Sequence, residues 1–399
     1  MRVYFGPCGI ALGHAGRCIP IAKALRSSGN GVFFSTYGEA VEFVRKASFP
    51  VGEAPPIKVF EKVDGEFDFR RTLSAGPKNL YQFALQIGAE ISLIERFKPD
   101  VVVSDSRLST VLAARMIRIP SVLLLHQLRI MIPHRRPIKK RYKLRIKSNV
   151  ERLGLEILGS LWKRSKVIIV PDLPPPYTIA KANVVPSYQY LKKVKLVGPI
   201  IPKHPEELPE QAEIKRALGF DDRPLIFAAI SGTKAEKLMI TKTMAEIFRE
   251  FPDRYNIVLS RGISDSPCPE IRTNGGRLRI YNWVDDRYAY LKACDLLVTR
   301  GGHNTVGESI YYGKPMVVIP TIAHSEHQGI AESVEKMKIG KRIQQYDLNR
   351  ASLLAAVEEI LESGDYSKRI LEAQRFAKNY DAIESICRTI RVVASGGSL

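Results

Sequence analysis

The sequence predicts an α/β protein of two Rossmann-like, doubly wound domains that face each other across a cleft. Short runs rich in Val, Ile, Leu and Phe recur at Arg2 to Phe5, Val32 to Ser35, Val101 to Ser104, Ser121 to Leu125, Val167 to Val170, Leu225 to Ile230, Asn256 to Leu259, Leu296 to Thr299 and Met316 to Ile319. Stretches of helical spacing separate many of them, and such alternation gives parallel sheets covered by helices on both faces. At 399 residues the chain exceeds one ordinary core, and the proline-dense "VGPIIPKHPEELPE", Val197 to Glu210, divides it near the middle.

Each part of the plan follows from these signals. An N-terminal domain is expected over 1–197, a proline-rich linker over 198–210 and a C-terminal domain over 211–365. The pattern over 366–399 reads as a helix with no strand after it, expected to return to the N-terminal domain and end in a small, polar tail. Sheets of this kind bind ligands at the carboxyl ends of their strands, so facing domains would hold a ligand between them.

Composition narrows the partners. Apolar residues at 45% and charged residues at 26% describe a globular protein and exclude a largely disordered chain. Lys and Arg exceed Asp and Glu by 61 − 41 = 20, so something anionic is expected to bind: a phosphorylated ligand, a nucleic acid or a membrane surface. The five cysteines, Cys8, Cys18, Cys268, Cys294 and Cys387, contain no CxxC pair, which opposes a disulfide framework or zinc site and fits a reducing cytoplasm. "MRVYFGPCGIALGH" reads as a first strand rather than a cleavable signal, and no apolar run approaches the ~20 residues that span a bilayer. Membrane contact is therefore expected to be peripheral.

The stretch "LLVTRGGHNTVGESIYYGKPMVVIP" runs from a strand through Gly301 and Gly302 into a helix. Free N–H groups and the dipole at such a helix start favour an anion, and the glycines permit its close approach. Asn304 and Thr305 add donors, while Glu308 lies on the same helical face as Thr305 and suits a ribose diol. A capped strand-to-helix turn would share these residues, so the other motifs matter. Ser231, Gly232 and Thr233 end another strand before a helix, and Trp283 and Val284 precede two acids able to cap the next one. Near the N-terminus, "GPCGIALGHAGR" carries Gly6, Gly9, Gly13, His14 and Arg17 with a spacing unlike G-x-G-x-x-G, which disfavours a dehydrogenase. Asp105 ends a strand on the same cleft edge as His14, where a carboxylate on the second imidazole nitrogen would fix the tautomer.

Together, Trp283-Val284-Asp285-Asp286, Cys294-Asp295, "TRGGHNTVGESIYYGKPMVVIP" and "SEHQ" resemble the donor half of GT-B glycosyltransferases. The pattern is similar to the lipid-acceptor transferases of family 28, among them the N-acetylglucosaminyltransferase of peptidoglycan synthesis, and to family 1 UDP-glycosyltransferases. The resemblance is strong over about residues 280–330, extends to the N-terminal loop and elsewhere is architectural. It implies Val284 at the uracil, Gly301, Gly302, Asn304 and Thr305 by the diphosphate, Glu308 on the ribose, and Glu326 and Gln328 on sugar hydroxyls. It implies His14 as the general base. Two positions depart from the family 1 pattern: Arg300 replaces His, and "SEHQ" replaces a tighter Asp-Gln pair. Arg17 is read as approaching the diphosphate or dressing the first helix, and His126 and Gln127 as a second candidate base and an acceptor contact.

The implied chemistry is metal-independent inverting transfer, with a UDP-sugar as substrate and no cofactor. The acidic "DGEFD" at 64–68 reads as a solvated run rather than a metal site. Residues 129–166 hold 13 Lys and Arg against Glu151 and Glu156, and Ile138, Tyr142, Ile146, Val150, Leu153, Ile157 and Leu161 recur at helical spacing. Such a basic amphipathic segment suits an anionic membrane surface, although the stripe would also serve as core. Few aromatics interleave the cations, which makes nucleic acid a poor partner. The expected activity is glycosyl transfer to a lipid or lipid-linked acceptor, peripheral at the cytoplasmic membrane face. The alternatives are a UDP-sugar 2-epimerase of the same architecture and a non-catalytic binder of nucleotide sugar or anionic surface.

Overall fold

The computed structural model describes residues 1–10, 12–56, 76–129, 131, 140–186, 188–263, 271–322 and 324–397. The acidic run at 64–68, Ile138, Cys268 and the last two residues lie outside them. Two seven-stranded sheets organise the chain, and every apolar run named above forms a strand in one of them. The fold is α/β, as its residue pattern predicts.

The N-terminal sheet has the order β3-β2-β1-β4-β5-β6-β7, all parallel: β1 Arg2–Pro7, β2 Gly31–Thr36, β3 Val51–Glu53, β4 Val101–Asp105, β5 Ser121–Leu124, β6 Val167–Val170 and β7 Val194–Leu196. Helices α1 Gly13–Ser27, α2 Glu39–Lys46, α3 Gly76–Phe97, α4 Leu108–Met116 and α5 Arg141–Trp162 lie between the strands. The C-terminal sheet has the order β10-β11-β9-β8-β12-β13-β14, parallel apart from the β10–β11 pair. Its strands are β8 Leu225–Ala229, β9 Asn256–Ser260, β10 Ile271–Thr273, β11 Leu278–Tyr281, β12 Leu296–Thr299, β13 Met316–Val318 and β14 Gly340–Arg342. The helices are α6 Gln211–Ala217, α7 Lys234–Arg249, α8 Arg287–Ala293, α9 His303–Tyr311, α10 Ser325–Lys336, α11 Arg350–Glu362, α12 Gly364–Ala377 and α13 Ala382–Ala394.

Apart from the four-residue β11 just before Trp283, the strands missing from the apolar runs named above are β3, β7, β10 and β14. Each is three residues long at or near a sheet edge, and partial exposure leaves it no run of buried apolar residues.

Each sheet reverses its winding at one place, between β1 and β4 in the first and between β8 and β12 in the second. Ligands of doubly wound sheets bind at that reversal, beyond the strand ends. The loops after β1 and β4 carry His14 and Asp105; those after β8 and β12 carry Ser231 to Thr233 and Arg300 to Gly302.

The segment after Leu196 is packed, not loose. Val197 and Ile200 belong to the core of the N-terminal sheet, Ile201 to that of the C-terminal one, and His204 meets the Tyr311 hydroxyl at 2.9 Å. The C-terminal segment is two helices rather than one, because Asp381 caps a new start by accepting from the Glu384 N–H. Of these, α12 buries Ile370, Ala373 and Ala377 against the C-terminal core, while α13 buries Ile386, Ile390 and Val393 against β4, β5 and α1. One strap thus ties both halves. Between them, Leu173, Ile179 and Ala180, beyond β6, share a core with Val306, Ile310 and Ile330.

Candidate active site

The loop after β1 turns where only glycine fits: a Cβ on Gly9 would lie 2.1 Å from the Tyr37 carbonyl oxygen. It delivers His14 to the first turn of α1, with 20% of the side chain exposed. His14 Nδ1 lies 2.8 Å from Asp105 Oδ1, and Asp105 is fully buried at the end of β4. Burial alone would raise the Asp105 pKa; the Arg17 guanidinium and the imidazole beside it override that and hold the carboxyl well below its usual range. Arg17 Nη2 also lies 3.1 Å from Nδ1, but the ionised Asp105 is the nearer partner and accepts from Nδ1–H, which leaves Nε2 as the nitrogen able to take a proton.

Arg17 neither approaches a diphosphate nor dresses the helix surface. It is buried, donates through Nε and Nη2 to both Asp105 oxygens, and through Nη1 to His126 Nδ1 at 2.7 Å. Its planar fork braces the carboxylate that orients His14. His126 Nε2 in turn lies 3.0 Å from Glu326 Oε1, and the Gln127 amide donates to Glu326 Oε2. Glu326 belongs to α10, so the two halves meet at its carboxylate.

Across the cleft, Gly301 has φ +84°, and an added Cβ would lie 2.9 Å from Val318 Cγ1 and 3.4 Å from the His327 carbonyl oxygen. The left-handed backbone turns β12 sharply into α9, so Gly302, His303, Asn304 and Thr305 form its start. Asn304 Nδ2 donates to the Gly13 carbonyl oxygen at 3.1 Å, which brings the start of α9 against the start of α1. The Ser231-Gly232-Thr233 turn joins them: Ser231 Oγ lies 3.3 Å from the place of a Cβ on Gly302. Thr233 begins α7, its N–H donating to Glu236 at 2.8 Å. Three helix starts and the His14–Asp105 pair therefore converge.

Other expected donor residues are placed differently from one another. Val284 is buried and Trp283 is 42% exposed, while Asp286 caps α8 by accepting from the Tyr288 and Ala289 N–H groups. Glu308 is buried and pairs with Arg287, with the Tyr288 hydroxyl 3.2 Å from the same oxygen. Burial raises its pKa against the opposing pull of Arg287. Arg300 turns into the donor half, donating to Thr321 Oγ1 at 2.6 Å and Gln345 Oε1 at 2.8 Å, and burial pushes it down to about 10. Gln328 exchanges amide hydrogen bonds with Gln344 at 3.1 and 3.0 Å. Arg300 and Gln328 are thus held within the donor half. Among the described residues no three His, Cys, Asp or Glu side chains form a metal-binding group.

Known proteins resemble this chain in sequence and in fold. Residues 232–386 match the model of the glycosyltransferase family 28 C-terminal domain. Over 403 aligned residues the chain is 28% identical to an uncharacterized glycosyltransferase of Methanosarcina mazei, covering 97% of each. Its fold is that of a glycotransferase of kitacinnamycin (TM-score 0.69, 18% identity, 98% of both chains) and of Acinetobacter baumannii MurG (TM-score 0.61, 14% identity, 98% of this chain and 99% of that one). The chain has the GT-B fold and carries a family 28 glycosyltransferase C-terminal domain. The strand-to-helix motif around Gly301 and Gly302 lies in the matched domain, and His14 lies in the other half of the enzyme.

Four further residues shape this glycosyltransferase's cleft without a signal strong enough to find them in the sequence. Arg287 and Tyr288 surround Glu308, and their only cue is that they follow the Trp283 motif directly. His303 Nε2 stands 3.1 Å from Asp172, which also accepts from the N–H groups of Leu173, Ile179 and Ala180. That contact pins the start of α9 to the acceptor half. His303 sits inside the double-glycine motif, but Asp172 lies over a hundred positions earlier and nothing local links them.

Proposed function

We propose that the enzyme moves a sugar from a UDP-sugar to a lipid or lipid-linked acceptor, with inversion, at an anionic membrane surface on the cytoplasmic side. His14 Nε2 takes the proton of the acceptor hydroxyl as that oxygen bonds to the anomeric carbon. The bond from that carbon to the diphosphate oxygen breaks, and its electron pair leaves with UDP. Main-chain N–H groups at the start of α9 stabilise the growing negative charge. Asp105 stabilises the imidazolium, and Glu308 and Val284 hold the ribose and base. The observation that carries the reading is the 3.1 Å hydrogen bond from Asn304 to the Gly13 carbonyl, which sets the start of α9 against the start of α1, where His14 pairs with Asp105.

The lipid part has its own support. On α5, Tyr142, Ile146, Val150, Leu153 and Ile157 are 50–61% exposed, and at 3.6 residues per turn they fall within roughly an 80° arc. An outward apolar stripe flanked by Lys143, Arg145 and Arg152 suits an anionic bilayer better than it suits water. No helix among the described residues is long and apolar enough to cross a membrane.

The test is transfer of labelled sugar from a panel of UDP-, GDP- and dTDP-sugars to lipid extract in anionic vesicles. A lipid-soluble product formed from a UDP-sugar, and lost with His14→Ala, is expected. Label released only as free sugar, or an epimerised donor formed without acceptor, overturns the proposal.

A further inference from the structure

An unbroken chain of polar contacts crosses the cleft: Glu326 to His126 at 3.0 Å, His126 to Arg17 at 2.7 Å, Arg17 to Asp105 through two bonds, and Asp105 to His14 at 2.8 Å. It begins on the donor half and ends on the nitrogen ring read above as the base. We propose that His126 is a positioning residue, which uses Glu326 of the donor half to set the orientation of the His14–Asp105 pair, so that the base is aligned only when the halves are closed. This rests on the reading of His14 as the base.

The chemistry of each partner fixes the chain's direction. A guanidinium only donates, so His126 Nδ1 facing Arg17 Nη1 must be unprotonated. Glu326 is an acceptor, so His126 Nε2 must carry the hydrogen that points at it. The two neighbours thus allow a single neutral tautomer. Arg17, with Nη1 held by His126, keeps its plane, and Nε and Nη2 stay on the two oxygens of Asp105. That carboxylate then holds His14 with Nε2 free for the acceptor.

Charged and titratable groups surround His126, with His327 of α10 among them. Arg17 faces it from α1 and Glu326 from α10; the rings of His14 and His303 lie 5.6 and 5.5 Å away, and Asp172 stands behind His303. Opening the cleft would withdraw Glu326, remove the partner that selects the Nε2–H tautomer, and free the imidazole to turn toward Arg17 with either nitrogen. A base aligned only in the closed state would protect a bound sugar nucleotide from hydrolysis before the acceptor half has closed on it.

Two substitutions separate positioning from bulk. His126→Phe fills the space but makes neither hydrogen bond, whereas His126→Gln can accept from Arg17 and donate to Glu326. With His126→Phe we expect kcat to fall about thirtyfold, donor KM and UDP affinity to stay within about twofold, and the acidic limb of the kcat–pH profile to move. His126→Gln should return kcat to within about fivefold of the wild type. Independently of turnover, ¹⁵N spectra of the wild-type enzyme at pH 7 should show His126 protonated at Nε2. Wild-type kcat in His126→Phe, equal losses in both variants, or a His126 protonated at Nδ1 overturns the proposal. His14→Ala measured in parallel keeps the two readings apart: its full activity would sink the base assignment, whereas inactive His14→Ala beside active His126→Phe sinks the positioning role alone.

Discussion

At the reversal of the N-terminal sheet the strand ends deliver ionisable side chains, His14 and Asp105, whereas at that of the C-terminal sheet they deliver glycines and main-chain amides. The topology is the same and the chemistry is opposite. In the donor half Glu308 pairs with Arg287, Arg300 donates through Nη2 to Thr321 and Gln345 while its Nε and Nη1 have no partner among the described residues, and the start of α9 presents amide dipoles. In the acceptor half Arg17 spends its whole guanidinium on the groups around the base. A proton needs a group with an adjustable charge; a diphosphate needs fixed dipoles that stay put as its charge grows. On the function proposed above, the fold supplies one reversal for each.

The largest effect that would break this division is on the acceptor side. His14→Ala should lower kcat about a thousandfold, as loss of a general base does, with UDP affinity within about twofold. Calorimetric titration with UDP beside turnover decides it. Loss of UDP binding together with turnover would mean that the two reversals do not act separately.

The complementary test is on the donor side. Gly301→Ala must adopt φ +84° and place its methyl 2.9 Å from Val318, which costs on the order of 1–3 kcal/mol in strain and crowding. We expect UDP affinity to fall at least about tenfold, since each tenfold is about 1.4 kcal/mol. Gly13→Ala is the control from the other half: its nearest neighbour would be Asn304 Nδ2 at 3.9 Å, and UDP affinity should hardly change.

These residues also show what the sequence makes legible. Strand-helix alternation and the proline-dense middle give two doubly wound halves, because buried parallel strands must read as continuous apolar runs. Gly301, Gly302 and Asn304 are legible because a helix start after a strand needs neighbouring residues of fixed type. Arg17 is misread because its partners, Asp105 and His126, lie about ninety and a hundred positions on, and only the β1–β4 neighbour relation brings them together. Asp172 and His303, and Glu326 and His126, are pairs across two domains, whose meeting no local pattern encodes. The apolar stripe of α5 is legible as a stripe, but whether it faces core or solvent depends on Glu151, Gly159 and Trp162 being its buried side.

The contact joining the halves should show itself in acid. Burial pushes His126 down to about 4 despite the attraction of Glu326. The unfolded chain, with an imidazole near 6.5, therefore binds more protons than the folded one between those values, so stability is lost as pH falls through that window. Glu326, which burial would raise, is held well below its ordinary value by His126, and its contribution is likewise present above the unfolded carboxylate value and lost below it. One proton corresponds to about 1.4 kcal/mol per pH unit, hence about 2 kcal/mol between pH 6.5 and 5. Denaturant unfolding across that range should show the slope, and His126→Gln should flatten it. An unchanged slope in the variant would place the acid sensitivity elsewhere.

The smallest effect concerns which half meets the lipid. The outward stripe of α5 belongs to the acceptor half alone, while α13, more strongly amphipathic, has its apolar face covered by that half's core. Arg145→Ala and Arg152→Ala should each weaken binding to anionic vesicles by about 1 kcal/mol, close to fivefold, with less difference at high salt. Leu153→Glu should weaken binding even to neutral vesicles, because it removes apolar contact rather than charge. Sedimentation with vesicles measures all three. Because α5 lies outside the cleft, the KM for a vesicle-borne acceptor should rise in each variant while UDP affinity stays constant. If UDP affinity fell instead, α5 would be supporting the donor site, and the assignment of membrane and proton to one half and the nucleotide to the other would fail.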